Sequence, residues 1–234
     1  QQQGKFNWSR TDQDGMSNYS LALQKGHGNS QWTWQMGDYN EAFTKQQGKF
    51  NDSDTDQYGY ANQSETFQFG KNNDSYTTQY GGWFDGNDSF TYQRGNGNMG
   101  YTDQYGFVFA DNRSATAQVG KENYSQTLQV GDFNLSGTLQ MGKYNAQLTE
   151  QFGTANMAGT IQLGEGNMSI TLQDGFHNMS GTLQVGTGNM ALTQQNGDLN
   201  LALTGQFGDG HMSSVNQVGN GNMSFVGQYN GVGN

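Results

Sequence analysis

The side chains that most often carry chemistry are spread through this chain without a usable pattern. There is no Cys, so neither a disulfide framework nor a thiolate metal site can form. His27, His177 and His211 lie far apart and share no metal-ligand spacing. Ser and Asp are plentiful, but the serines follow a repeat and nothing sets one of them beside a base. Stretches such as Gly26-His27-Gly28 lack the strand–loop–helix setting of a phosphate loop. The side chains that do stand in strict phase are amides, whose chemistry is to donate and accept hydrogen bonds. The expectation is a protein that is not an enzyme and needs no metal or cofactor.

The phase is set by Gln. It occurs at 2, 13, 24, 35, 46, 57, 68, 79, 93, 104, 118, 129, 140, 151, 162, 173, 184, 195, 206, 217 and 228, a step of eleven with two steps of fourteen. Gly follows two residues later in 20 of these 21 units, Asn230 being the exception. Counting Asn as position one, the unit reads N-x-S-x-T-x-Q-x-G-x-x, and it runs through the whole chain. Residues 1–234 are therefore read as a single repeat domain. Composition agrees with order rather than disorder: charged residues are 13%, aromatics 13%, and Pro is absent beside 36 Gly. A net charge of −10 argues against nucleic acid as a partner, and no apolar run is long enough to span a membrane. No secretory leader is visible and the first residue is Gln, so a processed chain is expected.

Positions one, three, five and seven share a parity, which is the period of a strand. Seven extended residues reach roughly 23 Å, too far for a short turn to retrace, so one unit makes half a coil. The spacing predicts an all-β solenoid of two facing parallel sheets, with about 22 residues per coil and roughly ten coils. The corner glycines, among them Gly15, Gly26, Gly37, Gly48, Gly142, Gly153 and Gly164, are expected to break each strand and turn the chain. Charges avoid the N-S-T-Q parity, so that face points inward. Its amides are expected to form ladders: Asn7, Gln13, Asn18, Gln24, Asn29, Gln35, Asn40 and Gln46 near the start, and Asn145, Gln151, Asn156, Gln162, Asn167, Gln173, Asn178, Gln184, Asn189 and Gln195 further on.

Asp52, Asp54 and Asp56 fall on the outward parity, where charge discourages sideways aggregation. In the second half that parity is apolar (Met157, Ile161, Leu163, Met168, Ile170, Leu172), a face that needs covering, most simply by a neighbouring fibre. Three extra residues enter the corners 81–87 and 106–112, both joining an odd unit to an even one. Trp83 and Phe84 are expected on the same edge as Phe107, Val108 and Phe109.

Tandem Q-x-G-x-x-N-x-[AS]-x-x-x-Q resembles the curlin repeat of bacterial curli subunits, with Asn145, Gln151, Asn156 and Gln162 matching the family's ladder residues. The resemblance implies a secreted, cell-surface subunit of functional amyloid in the biofilm matrix. It also implies a nucleator subunit and an outer-membrane secretion pore as partners, beside further copies of the chain. Ser and Thr here replace inner aliphatic residues common in the family. Polymerisation is expected through the terminal rungs, Gln2, Asn7 and Gln13 at one end and Asn222 and Gln228 at the other. The competing reading is a monomeric ice-binding or other surface-binding solenoid, which would need its Thr ranks outside.

Overall fold

The computed structural model describes residues 1–230. It contains 21 strands, numbered in chain order from β1 (Gln2–Lys5) to β21 (Met223–Tyr229). The odd strands form one parallel sheet of 11 and the even strands a second of 10, each strand n pairing with n+2. Register is held by residue type: Gln118 faces Gln140, Thr116 faces Thr138 and Gly120 faces Gly142. The chain is thus an all-β solenoid of about ten coils, with a step of 22 residues between like amides.

The inner face is the N-S-T-Q face. Asn145, Gln140, Gln162 and Asn167 have no exposed surface, and Ser136 and Thr149 are buried beside them. Small Ser, Ala and Thr let the sheets close on a nearly dry interior. The core is consequently polar, its buried apolar residues being mainly Ala42, Ala158, Ala191 and Ala202. Several of its hydroxyls, such as Ser53 Oγ and Thr66 Oγ1, have no partner, so the amides rather than the hydroxyls hold the core.

One local expectation is corrected. Most position-nine glycines do not end the strands, although Gly15, Gly81, Gly106, Gly197 and Gly219 each follow a strand end. Gly142 lies within β13 (Leu135–Lys143) and pairs with Gly120 and Gly164. Its φ of 127° lets the strand bend without leaving the sheet. Gly15 sits just past the end of β2 (Trp8–Asp14), whereas Gly26, Gly37, Gly48, Gly153 and Gly164 lie inside their strands. The sharp turn is instead made by the residue before nearly every Asn, Gly86 excepted, which adopts a φ between 47° and 70° whether it is Gly166, Phe50, Tyr144 or Ala155.

The two three-residue insertions keep the ladder in step, since Gln79 still bonds Gln104 at 2.9 Å across 25 residues. They lie on one edge. The Trp83 amide donates to Val108 O at 3.2 Å, and Phe84 stacks on Phe109, which stacks on Phe133. The Trp83 side chain does not join this stack and is 85% exposed, and Phe107 is also largely exposed.

Candidate functional site

The repeated amides build the one chemical feature that runs the length of the molecule. Each ladder Gln donates from Nε2 to Oε1 of the Gln one coil later, at 2.5 to 2.9 Å from Gln13 to Gln217. The odd sheet repeats this from Gln24 to Gln228. The second Nε2 hydrogen crosses to the other sheet. Gln140 donates to Tyr124 O at 2.7 Å and Gln151 to Leu135 O at 3.1 Å. One side chain therefore continues its own ladder and also ties the two sheets together.

Asn runs the other way. The Asn145 backbone N–H and Nδ2 both donate to Oδ1 of Asn123, one coil earlier, at 3.2 and 3.1 Å. Nδ2 also donates to Gly164 O at 3.0 Å, so this Asn grips a corner glycine. Asn156, Asn167, Asn178 and Asn189 repeat this grip. At His211 the amide is lost, yet its backbone N–H still donates to Asn189 Oδ1 at 3.0 Å.

Opposite donation gives the molecule two unlike ends. At the carboxy-terminal end Gln217 and Gln228 each keep one Nε2 hydrogen that meets no ladder partner among the described residues, and Asn222 Oδ1 accepts from none of them. At the amino-terminal end Gln13 Oε1 accepts from no described residue, and Asn7 and Asn18 have no earlier rung to donate to. Gln2 lies on the exposed first strand opposite Gln24. Gln13 is exposed and Asn7 and Asn18 half-buried, whereas Gln24, Asn29, Gln35, Asn40 and Gln46 are buried. Donors at one end thus answer acceptors at the other.

Asp52, Asp54 and Asp56 point outward, alternating with buried Ser53, Thr55 and Gln57. They are half-covered because the strands on either side carry large rings: Asp54 sits between Trp32 and Tyr76. Burial first, then Asp56 and Asp52, pushes the Asp54 carboxyl up to about 6. Burial also raises Asp56, Asp74 and Asp103. On the same face Tyr58, Tyr80 and Tyr105 form a column of nearly parallel rings with centroids 4.6 and 5.0 Å apart. Burial, with Asp52 and Asp74 close by, pushes the Tyr76 hydroxyl up to about 12.

Among the described residues no group of three or more His, Asp or Glu is placed to hold a metal ion, and no helix is long and apolar enough to cross a membrane. With the ladder and its ends in view, the repeat can be compared with known families. Residues 186–219 match the curlin-associated repeat. This is the family whose pattern the sequence resembles, and the matched segment holds four successive corner glycines, Gly186, Gly197, Gly208 and Gly219. The eleven-residue unit of that segment recurs in the same register through both sheets. No curated protein sequence matches the chain.

Sequence reasoning missed the direction of the amide bonds, which residue type alone does not encode. It also missed the left-handed residue before nearly every Asn, because that site holds Phe, Tyr and Ala as often as Gly.

Proposed function

We propose that the chain is a structural subunit that grows end to end into extracellular amyloid fibres of a biofilm matrix and its adhesive surface. The observation that carries this reading is the opposed polarity of the two amide ladders. Gln donates toward the carboxy-terminal end and Asn toward the amino-terminal end, so a copy arriving in the same orientation meets donors with acceptors. Open strand edges at both ends supply backbone groups that gain partners in the same step. The curlin-associated repeat supports the same class of assembly. Partners in this reading are further copies of the chain, with a nucleator subunit and an outer-membrane pore implied by the family resemblance.

The ice-binding alternative needs an outward rank of Thr. The ladder threonines lie between the sheets instead: Thr33, Thr55, Thr127 and Thr149 are essentially without exposed surface. Purified chain is expected to elongate from sheared seeds without a lag and to give spacings near 4.8 Å and about 10 Å in fibre diffraction. Asn222→Lys with Gln228→Lys places unpaired charge at the growing end and should slow seeded elongation more than tenfold. Wild-type elongation by this double variant would defeat templating through the ladders.

A further inference from the structure

The outer faces of the two sheets differ in the carboxy-terminal half. The even face is interrupted by Glu150, Asp174 and Gln194. On the odd face, β13, β15 (Met157–Glu165), β17 (Met179–Thr187), β19 (Leu201–Asp209) and β21 carry no charged residue at positions two, four, six or eight. The only polar side-chain atom there is the Tyr229 hydroxyl. At about 4.8 Å per rung and roughly 20 Å along the strand, this face covers on the order of 500 Å². That is as large as the largest apolar patch of an ordinary monomer.

The face is also shaped. Gly137, Gly159 and Gly181 at position four line the floor of a groove of about 920 Å³ that runs along the solenoid axis. Beside them at position six stand Leu139, Ile161 and Leu183. In β19 and β21 the sizes exchange places: Leu203 and Phe225 occupy position four, Gly205 and Gly227 position six. Every rung from β13 onward therefore holds one large residue and one glycine at its centre.

The solenoid itself does not ask for Gly137 or Gly159, whereas a Cβ on Gly181 would stand 2.8 Å from Leu203 Cδ2. Neither Gly137 nor Gly159 has a positive φ, and a Cβ on either would meet nothing within 4 Å. Gly in a strand interior weakens the strand, and where its own fold leaves space it marks the approach of something else.

We propose that this odd face pairs with the odd face of a second copy, about a two-fold axis parallel to the solenoid axis. Such an axis reverses the strand direction across the interface, so position four faces position six at the same height. Ile161 then meets Gly159 of the second copy, Leu139 meets Gly137, and in β19 Leu203 meets Gly205. Each knob finds a hole in every rung, and the exchange of sizes after β17 preserves the fit. The residues at positions two and eight, many of them flexible Met, close over the seam. The contact is isologous and uses up the face, so it yields pairs and not open bundles. It buries on the order of 1,000 Å² in total for each pair of chains, the size at which specific contacts begin, and it repeats along a fibre. The pairing is sideways and stands apart from end-to-end growth.

The test is the mass per length of fibres by dark-field electron microscopy. Wild-type fibres are expected at two chains per solenoid length. Gly137→Leu with Gly159→Leu fills the holes from positions where an added Cβ meets nothing within 4 Å, and mass per length should fall twofold while the far-ultraviolet β signal stays. Exchanging the sizes, by adding Leu139→Gly and Ile161→Gly to that variant, should restore the doubled value. Single wild-type fibres would overturn the pairing and leave the face to another occupant. A doubled Gly→Leu variant, or an exchange variant that stays single, would overturn the facing of position four on position six. If no fibres form, end-to-end growth fails, and pairing is read by sedimentation of the folded chain. A dimer lost in the Gly→Leu variant supports it, and a wild-type monomer overturns it.

Discussion

At the scale of the residue, stability rests on amides that each make several bonds at once. Gln140 accepts from Gln118, donates to Gln162 and donates to Tyr124 O, all between 2.7 and 2.9 Å. Gln140→Ala strands a donor and two acceptors in a dry interior, so unfolding by urea should show a loss of about 2–4 kcal/mol. Asp54 gives a pH signature. Its carboxyl titrates near 6 in the fold against 3.8 in water, so the folded chain binds the proton more tightly. Its contribution is therefore full below pH 3.8 and is lost as pH rises through 6. Asp54→Asn should raise the melting temperature at pH 7.5 and leave it nearly unchanged at pH 3.5. The inward place of Gln140 was legible in the sequence because four same-parity positions exclude charge. The half-burial of Asp54 was not. It depends on Trp32 and Tyr76, each 22 residues away, which come together only when the coil closes.

At the scale of the element, each strand and its corner use glycine in two different ways. Gly142 has a φ of 127°, and a Cβ there would stand 1.9 Å from Gly164 O, the carbonyl that Asn145 grips. Gly142→Ala should therefore strain the backbone and break the Asn contact, lowering stability by more than about 2 kcal/mol. Gly166, the turning residue before Asn167, has a φ of 65° and open space around it. Ala155 already occupies the equivalent place at 57°. Gly166→Ala should cost only about 1 kcal/mol, the ordinary price of a left-handed residue. Thermal melting of the two variants side by side checks the contrast. The step of eleven and the need for Gly at position nine could be read from the chain. The division of labour could not, because Phe50 and Tyr144 in left-handed conformations break the usual link between Gly and tight turns. The two outer faces were partly legible: sorting the units into odd and even sets, which the coil itself demands, separates the uncharged face from the one carrying Glu150 and Asp174.

At the scale of the whole molecule, parity decides what a change in length does. Stability in a solenoid is close to a sum over neighbouring rungs, so a coil can be removed if the ladders rejoin in phase. Deleting Asn145–Gly166 removes β14 (Ala146–Thr154) and β15 together and joins Tyr144 to Asn167. Every later strand stays in its own sheet. Deleting Asn156–Gly166 removes β15 alone. The inner rows still rejoin, since Asn167, Ser169, Thr171 and Gln173 take the inner places of Asn156, Ala158, Thr160 and Gln162. Every later strand then changes sheet, which brings Asp174 and Gln194 onto the face of β13 and carries Gly181 and Leu183 to the opposite side. Both shortened chains are expected to fold, with β signals per residue by circular dichroism matching the parent. Fibres of the chain lacking one full coil should keep the doubled mass per length, and those of the chain lacking a half coil should fall to the single value. Equal mass per length in the two would mean that sideways contact does not distinguish the sheets, even though from β13 onward the odd face alone is free of charge.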